Sequence, residues 1–217
     1  MKNPVRSLIV LMTLLCTIGL SLNARAQSAQ AGQKKADMCI GCHGIPGYRG
    51  SFPEIYQVPM LAGQNAKYIV AALTEYKKGD RKHPTMRAIA ASLSDQDMAD
   101  LATFYSTEAE PVPATLAGVV PVDVAELLKK GNCASCHGAN LSAPIDPSYP
   151  KLAGQHADYL YYALLAYQTD GNPRIGRNNP IMMGMARPFT HAEVKQIADY
   201  IGSLPSQLGT VPQSRWR

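Results

Sequence analysis

Two short clusters of cysteine and histidine are the residues of this 217-residue chain best suited to chemistry. Residues 39–43 and residues 133–137 both read C-x-x-C-H. Thiols at this spacing lie about one helical turn apart, so they can form thioethers with the two vinyl groups of one haem, and the adjacent imidazole can coordinate the iron. We therefore expect two covalently attached haems c per chain. The attachment residues would be Cys39, Cys42, Cys133 and Cys136, and the proximal iron ligands His43 and His137.

Other uses of a C-x-x-C pair compete with this interpretation. Four cysteines in an oxidising compartment predict two disulfides, and a single pair also suits a redox-active dithiol or half of a zinc site. The histidine after each pair, and the similar sequence downstream of both, favour haem over these alternatives.

The first 26 residues have the order of a secretory signal peptide. Lys2 and Arg6 come first without an acidic residue, an apolar stretch follows over residues 8–22, and residues 24–26 read Ala-Arg-Ala. This pattern predicts export and cleavage after Ala26. The alternative is an uncleaved membrane anchor, but about 15 apolar residues are short for a span that needs about 20.

Charge gives little support to a nucleic-acid partner. Loss of Lys2, Arg6 and Arg25 with the leader would leave 18 basic residues against 16 acidic ones, from 21 in the whole chain. Two propionates on each haem would bring the holoprotein close to neutral. Basic residues also form no stripe along the sequence, so we expect no nucleic-acid binding.

The chain repeats itself. Leu-Ala-Gly-Gln occurs at residues 61–64 and again at 152–155, each time preceded by proline two residues before the leucine. Ser94-x-x-Asp97 and Thr190-x-x-Glu193 both predict a capping box at the start of a helix. The repeat predicts a tandem duplication. The expected boundaries are a leader at 1–26, domains at 27–109 and 122–205, a linker at 110–121 and a tail at 206–217.

Hydrophobic periodicity predicts that both halves are mainly helical. One helix is expected to run into each haem motif, over residues 30–42 and 124–136. A second is expected over residues 65–78 and 156–167, and a third after each capping box. Loops rich in glycine and proline would connect them. A domain of about 80 residues has a marginal core, to which a buried haem would add apolar volume.

The repeat also predicts the second axial ligand of each iron. A low-spin haem needs a sixth ligand, usually methionine or histidine. Met86 lies eight residues before Ser94, and Met182 lies eight residues before Thr190. No other methionine is duplicated in this way, so we expect Met86 and Met182 to complete the two coordination spheres.

Some alternatives remain for the sixth ligand. Met183 and Met185 follow Met182 closely, so either could replace it in the second half. The histidines outside the two motifs have no counterparts in the other half, and we expect them to be solvated or to cap helices. His83 and His191 would be considered as ligands only if neither haem were bound by methionine.

These motifs resemble the cytochrome c4 family over nearly the whole chain after the leader. The paired C-x-x-C-H motifs, the two Leu-Ala-Gly-Gln sequences and Met86-Arg87-Ala88-Ile89-Ala90 carry the resemblance. It implies an all-α fold of two tandem class I cytochrome c domains related by a pseudo-two-fold axis, each around one haem. It also implies a periplasmic electron carrier, soluble or loosely associated with the membrane face, that passes electrons from a quinol-oxidising complex to a terminal oxidase or similar acceptor.

Two segments of the second half depart from the repeat. Residues 187–189 read Arg-Pro-Phe where the family usually has small helical residues, and Pro188 would interrupt a helix there. The loop between His43 and Leu61 is also longer than the one between His137 and Leu152. We therefore expect the two haem environments to differ.

Two other functions compete with that of a free carrier. A dedicated electron-accepting subunit of a dehydrogenase or oxidase complex would have the same fold. A two-haem enzyme is less favoured: a peroxidase needs an open or displaceable axial position. Some thiosulfate dehydrogenases use a cysteine sulfur beside one haem. Such an enzyme would need a fifth cysteine, and outside the leader this sequence has only the four motif cysteines. No catalytic residue is expected.

Intact mass spectrometry of the purified holoprotein tests the leader and the haem motifs together. We expect the mass of residues 27–217 plus two haems, because thioether bonds survive denaturation. A mass with one haem, or extraction of haem by acidified solvent, would contradict two covalent attachments.

Overall fold

The computed structural model describes residues 28–107 and 120–211. The predicted leader, most of the predicted linker and the end of the predicted tail lie outside the described residues. The chain forms ten helices within these two ranges, and the longest connections follow His43 and His137. In the first half they are α1 (residues 28–35), α2 (Asp37–His43), α3 (Ala66–Lys78), α4 (Pro84–Ala91) and α5 (Asp95–Ser106). In the second half they are α6 (Val122–Lys130), α7 (Cys133–His137), α8 (Ala157–Gln168), α9 (Pro180–Ala186) and α10 (His191–Ser203).

The prediction of two mainly helical halves is confirmed, and each half buries its own core. In the first half α3 packs on α5, and in the second half α8 packs on α10. The first core is built around Ile69, Leu93, Met98, Leu101 and Phe104. The second is built around Leu141, Leu160, Val194, Ile197 and Ile201. Within the described ranges no helix is long and apolar enough to span a bilayer.

Both predicted capping boxes are present. The Asp97 N–H donates to the Ser94 hydroxyl at 3.2 Å while the Ser94 N–H donates to the Asp97 carboxylate at 2.9 Å. Thr190 and Glu193 make the same exchange at 3.3 and 2.7 Å. Lysines from the helix that precedes each haem motif pair with these acids, Lys35 with Asp97 and Lys130 with Glu193. The first and last helices of each half are thereby fixed to each other.

The prediction of one unbroken helix before each haem motif is wrong. A turn at Ala36 separates α1 from α2, and Gly131 and Asn132 separate α6 from α7. Asn132 has a left-handed backbone with φ of 47°, a conformation that asparagine tolerates better than most residues. The cysteines of each motif therefore lie on a separate short helix.

Buried glutamine side chains join the two halves. Gln64 accepts a hydrogen bond from the Lys151 N–H at 2.9 Å and donates to the Lys151 carbonyl at 3.0 Å. Gln155 makes the same two bonds with Met60, both at 3.0 Å. Met60 and Lys151 each precede the leucine of their Leu-Ala-Gly-Gln sequence. The exchange is therefore reciprocal and relates the halves by a pseudo-two-fold axis.

Four strands of two residues each add further contacts around this axis. They are β1 (Arg49–Gly50), β2 (Tyr56–Gln57), β3 (Arg81–Lys82) and β4 (Gly176–Arg177). Strand β3 of the first half pairs antiparallel with β4 of the second, and β1 pairs with β2 within the longer loop of the first half.

The β1–β2 hairpin extends the first half over α8 of the second. Arg49 forms an ion pair with Asp158 at 3.2 Å, and the Gln57 N–H donates to the same carboxylate at 3.0 Å. The Tyr56 ring lies beside those of Tyr159 and Tyr162, with centroids 5.9 and 5.5 Å apart. The second half lacks this hairpin in its described residues, because its loop is shorter.

The glutamine exchange predicts how the halves respond to mutation. Gln155→Leu should lower the free energy of unfolding by about 2 kcal/mol, because the half-buried N–H and carbonyl of Met60 both lose their partner. Urea denaturation of the holoprotein measures this change. Gln33→Leu, in an exposed glutamine of α1, is the control and should cost no more than about 0.5 kcal/mol. Equal effects of the two substitutions would contradict the role given to Gln155.

Candidate haem-binding sites

The four motif cysteines lie on the short helices that end at the motif histidines, Cys39 and Cys42 on α2 and Cys133 and Cys136 on α7. All four thiols are free. Cys39 and Cys133 pack against the cores of their own halves. Burial raises the pKa of the Cys39 thiol to about 11 and also raises that of Cys133. A raised pKa disfavours the thiolate, which is the form of cysteine that takes part in disulfide exchange.

The two motif histidines are oriented in the same way. His43 Nδ1 lies 2.8 Å from the Pro59 carbonyl oxygen, and His137 Nδ1 lies 3.0 Å from that of Pro150. Because a carbonyl oxygen only accepts, Nδ1 carries the proton and donates in both. Burial lowers the pKa of both histidines, which keeps the imidazoles neutral. Each Nε2 then has the free lone pair that an iron ion requires.

The two candidate methionine ligands occupy equivalent places on helices that the sequence did not predict. Helix α4 begins at Pro84 and α9 at Pro180, and Met86 and Met182 are the third residue of each. The Met86 N–H donates to Nδ1 of His83 at 3.3 Å, and the Met182 N–H donates to Oδ1 of Asn179 at 3.2 Å. The equivalence of the two methionines therefore extends to the N-cap residues of their helices, His83 and Asn179.

The neighbouring methionines differ in exposure. Met183 is half-buried, one position further along α9, whereas Met185 is 42% exposed. Helix α9 ends at Ala186, one position earlier than the repeat of α4 would place it, and Pro188 follows this end. The expected interruption at Pro188 thus shortens the helix after Met182 and leaves its first turn unchanged. Coordination by Met86 and Met182 stays a prediction.

The remaining histidines have the positions expected of capping or solvated residues. His83 caps α4, as described above. His156 holds the N-cap position of α8 without capping it through its side chain. His191 is exposed in the first turn of α10.

A buried hydroxyl distinguishes the first site from the second. Tyr105 on α5 is 5% exposed, and its side chain lies beside the Cys39 thiol. Its counterpart in the repeat is Ile201, which offers only apolar contacts. The repeat aligns Tyr105 with Ile201, so this difference between the halves can be predicted from the sequence. The proximity of Tyr105 to a motif cysteine cannot, because it depends on the packing of α2 against α5.

These groups fit a covalently bound haem. Each half presents two free thiols three residues apart, a neutral imidazole with Nε2 available, and a methionine at the repeated position. Cys39, Cys42, His43 and Met86 would hold one haem, and Cys133, Cys136, His137 and Met182 the other. Bound there, haem iron accepts and releases one electron by cycling between its ferric and ferrous states.

Comparisons with known proteins agree with this fit. The cytochrome c family model matches residues 29–107 and again 122–205. Cytochrome c4 of Azotobacter vinelandii is 32% identical over 89% of this chain and 98% of its own length. A thiosulfate dehydrogenase electron acceptor of Stutzerimonas stutzeri is also 32% identical, over 85% of this chain and 91% of its own length. The crystal structure of reduced cytochrome c4 from Pseudomonas stutzeri superposes with a TM-score of 0.59 at 28% identity, covering 82% of this chain and 98% of that one.

Substitution of the two methionines tests the axial ligands. Met86→Ala and Met182→Ala should each convert one haem to a high-spin or water-ligated form, because the iron loses its sulfur ligand. Each variant should lose half the intensity of the near-infrared methionine-to-ferric-iron band. Met38→Ala, at an exposed position in α2, is the control and should leave the band intact. If Met183→Ala or Met185→Ala halves the band while Met182→Ala spares it, the alignment of the second half is wrong.

Proposed function

Because this chain belongs to the cytochrome c4 family, we propose that it carries electrons in the periplasm from a quinol-oxidising complex to a terminal oxidase. It has two cytochrome c domains, each with one covalently bound haem c. It is a two-haem electron-transfer protein and transforms no substrate of its own. We also propose that the leader at residues 1–26 directs its export.

The observation that carries the proposal is that both halves place the same two candidate axial ligands in equivalent positions. Each half contributes a histidine oriented by a proline carbonyl and a methionine at the same helical position. An iron with both axial positions filled has no open site for peroxide or another substrate. Methionine ligation also raises the reduction potential, which suits delivery to an oxidase at the high-potential end of a respiratory chain.

A second partner has a specific observation in its favour. The Stutzerimonas stutzeri relative named as an electron acceptor of thiosulfate dehydrogenase matches this chain as well as the cytochrome c4 relative does in identity. The same two haems could therefore serve a sulfur-oxidising donor, either as a free carrier or as a subunit of the dehydrogenase.

Stopped-flow kinetics with each donor distinguish these partners. The oxidised holoprotein would be mixed with a quinol-oxidising complex and ubiquinol, or with thiosulfate dehydrogenase and thiosulfate. We expect both haems to be reduced rapidly by the first pair, and the reduced protein to be reoxidised by oxidase-containing membranes in a cyanide-sensitive step. Rapid reduction by the second pair alone would contradict the quinol-oxidising complex as donor and support thiosulfate dehydrogenase in its place.

Purification from native membranes distinguishes a free carrier from a subunit. We expect the protein to separate without a stoichiometric partner. Constant copurification with one dehydrogenase or oxidase through two independent columns would contradict the free-carrier proposal and support the subunit.

A further inference from the structure

A buried tyrosine side chain lies at the first attachment site. Tyr105 belongs to the core of the first half and is 5% exposed, and Cys39 packs against the same core. The Tyr105 ring meets that of Phe104 edge to face, with centroids 5.0 Å apart. Its backbone carbonyl accepts a hydrogen bond from the Gly63 N–H at 2.8 Å. The position of Tyr105 is therefore fixed through both its ring and its backbone.

The Tyr105 hydroxyl has one group with which to form a hydrogen bond. Among the described residues, no group other than the Cys39 thiol is placed to bond with it. A buried tyrosine hydroxyl normally has a partner, and leaving it unpaired costs free energy. The structure therefore leaves the Cys39 sulfur as its partner.

Haem attachment determines which of these two groups donates. A free thiol can donate or accept. Formation of the thioether joins the Cys39 sulfur to one carbon of a haem vinyl group, and the thiol hydrogen passes to the other vinyl carbon. The attached sulfur has no hydrogen left and can only accept. In the holoprotein the O–H of Tyr105 is then the donor.

The equivalent position in the second half has no such donor. Ile201 takes the place of Tyr105 in the repeat, and the structure agrees with this alignment. The Ile201 carbonyl accepts from the Gly154 N–H at 2.8 Å, which is the bond that Tyr105 makes with Gly63. The Ile201 side chain is apolar and offers Cys133 no hydrogen bond.

A second hydroxyl near a motif sulfur is already in use. The Ser135 hydroxyl lies 3.6 Å from the Cys136 sulfur. It donates to the Asn132 carbonyl at 2.8 Å and lies at an exposed position. Its single proton is therefore not available to the sulfur. Within the described residues, the buried donor distinguishes the first attachment site from the second.

We propose that Tyr105 sets part of the reduction potential of the first haem, because its buried hydroxyl donates a hydrogen bond to the thioether sulfur of Cys39. The positive end of the O–H dipole draws electron density from the sulfur and the attached porphyrin, which favours ferrous iron and raises the potential. Burial strengthens this effect, since little water screens the dipole. The inference rests on haem attachment at Cys39 and not on the identity of any redox partner.

Spectroelectrochemical titration of Tyr105→Phe tests the effect on the potential. Phenylalanine keeps the ring and removes only the donor. The ferrous-to-ferric ratio of one haem should therefore fall by about twofold or more at fixed ambient potential, about 18 mV for one electron. The other haem should change less than half as much. Unchanged potentials of both haems, with both still attached, would overturn the proposal.

Tyr200→Phe is the matched control. It removes a half-buried hydroxyl from α10, the equivalent helix of the second half, one residue before Ile201. Both potentials should change less than half as much as that of the first haem in Tyr105→Phe. An equal shift in the control would overturn the proposal, because the loss of any tyrosine hydroxyl from these helices would then have the same effect.

Proton NMR of the ferrous holoprotein tests the hydrogen bond itself. Low-spin ferrous haem is diamagnetic, so the buried Tyr105 hydroxyl proton should give a resonance with a nuclear Overhauser effect to the thioether protons at Cys39. This resonance should be absent from Tyr105→Phe and present in Tyr200→Phe. Contacts of the proton with water or with another group in place of the thioether would overturn the proposal. A wild-type mass with one attached haem would overturn its premise, the attachment at Cys39.

Discussion

One short segment in each half connects the haem ligand to the domain interface, and the rest of the structure depends on it. The Pro59 carbonyl orients His43, and the next residue, Met60, exchanges two hydrogen bonds with Gln155 of the other half. Pro150 and Lys151 do the same with His137 and Gln64. The backbone that fixes each imidazole is therefore fixed by the opposite domain. Separation of the halves would disturb both proximal ligands.

This constraint gives a physical reason for two domains in one chain. A single half of about 80 residues buries a limited core, and its proline segment would expose polar backbone groups without the glutamine of its partner. The segment around residue 209 adds to the contact, because Gly209 pairs with Ala62 of the first half. Two redox centres held in one body can exchange electrons without a diffusional encounter, whereas two separate one-haem proteins cannot.

The duplication is not symmetric in detail. The longer loop of the first half forms the β1–β2 hairpin and contacts Asp158, and Tyr105 lies beside Cys39 where the second half has Ile201. The unequal loops and the sequence at residues 187–189 already predict unlike haem environments. The structure adds a hydroxyl beside one attachment site as a second difference, which favours unequal potentials for the two haems.

Local patterns could be predicted from the sequence, and contacts between distant segments could not. The capping boxes at Ser94 and Thr190 and the equivalence of Met86 and Met182 follow from short motifs and their spacing. The short helices α4 and α9 were missed because their caps, His83 and Asn179, are unlike residues at equivalent positions. The break at Asn132 depends on a single left-handed residue. The roles of Gln64 and Gln155 arise only where the halves meet, about 90 residues apart in sequence.

A spectroelectrochemical titration of the purified holoprotein tests the central claim most directly. Two haems with histidine and methionine ligands should take up two electrons per chain in two one-electron steps. Both ferric haems should be low-spin and show the methionine band, which should disappear in proportion to reduction. Uptake of one electron per chain, or a high-spin signal from either haem, would contradict the account.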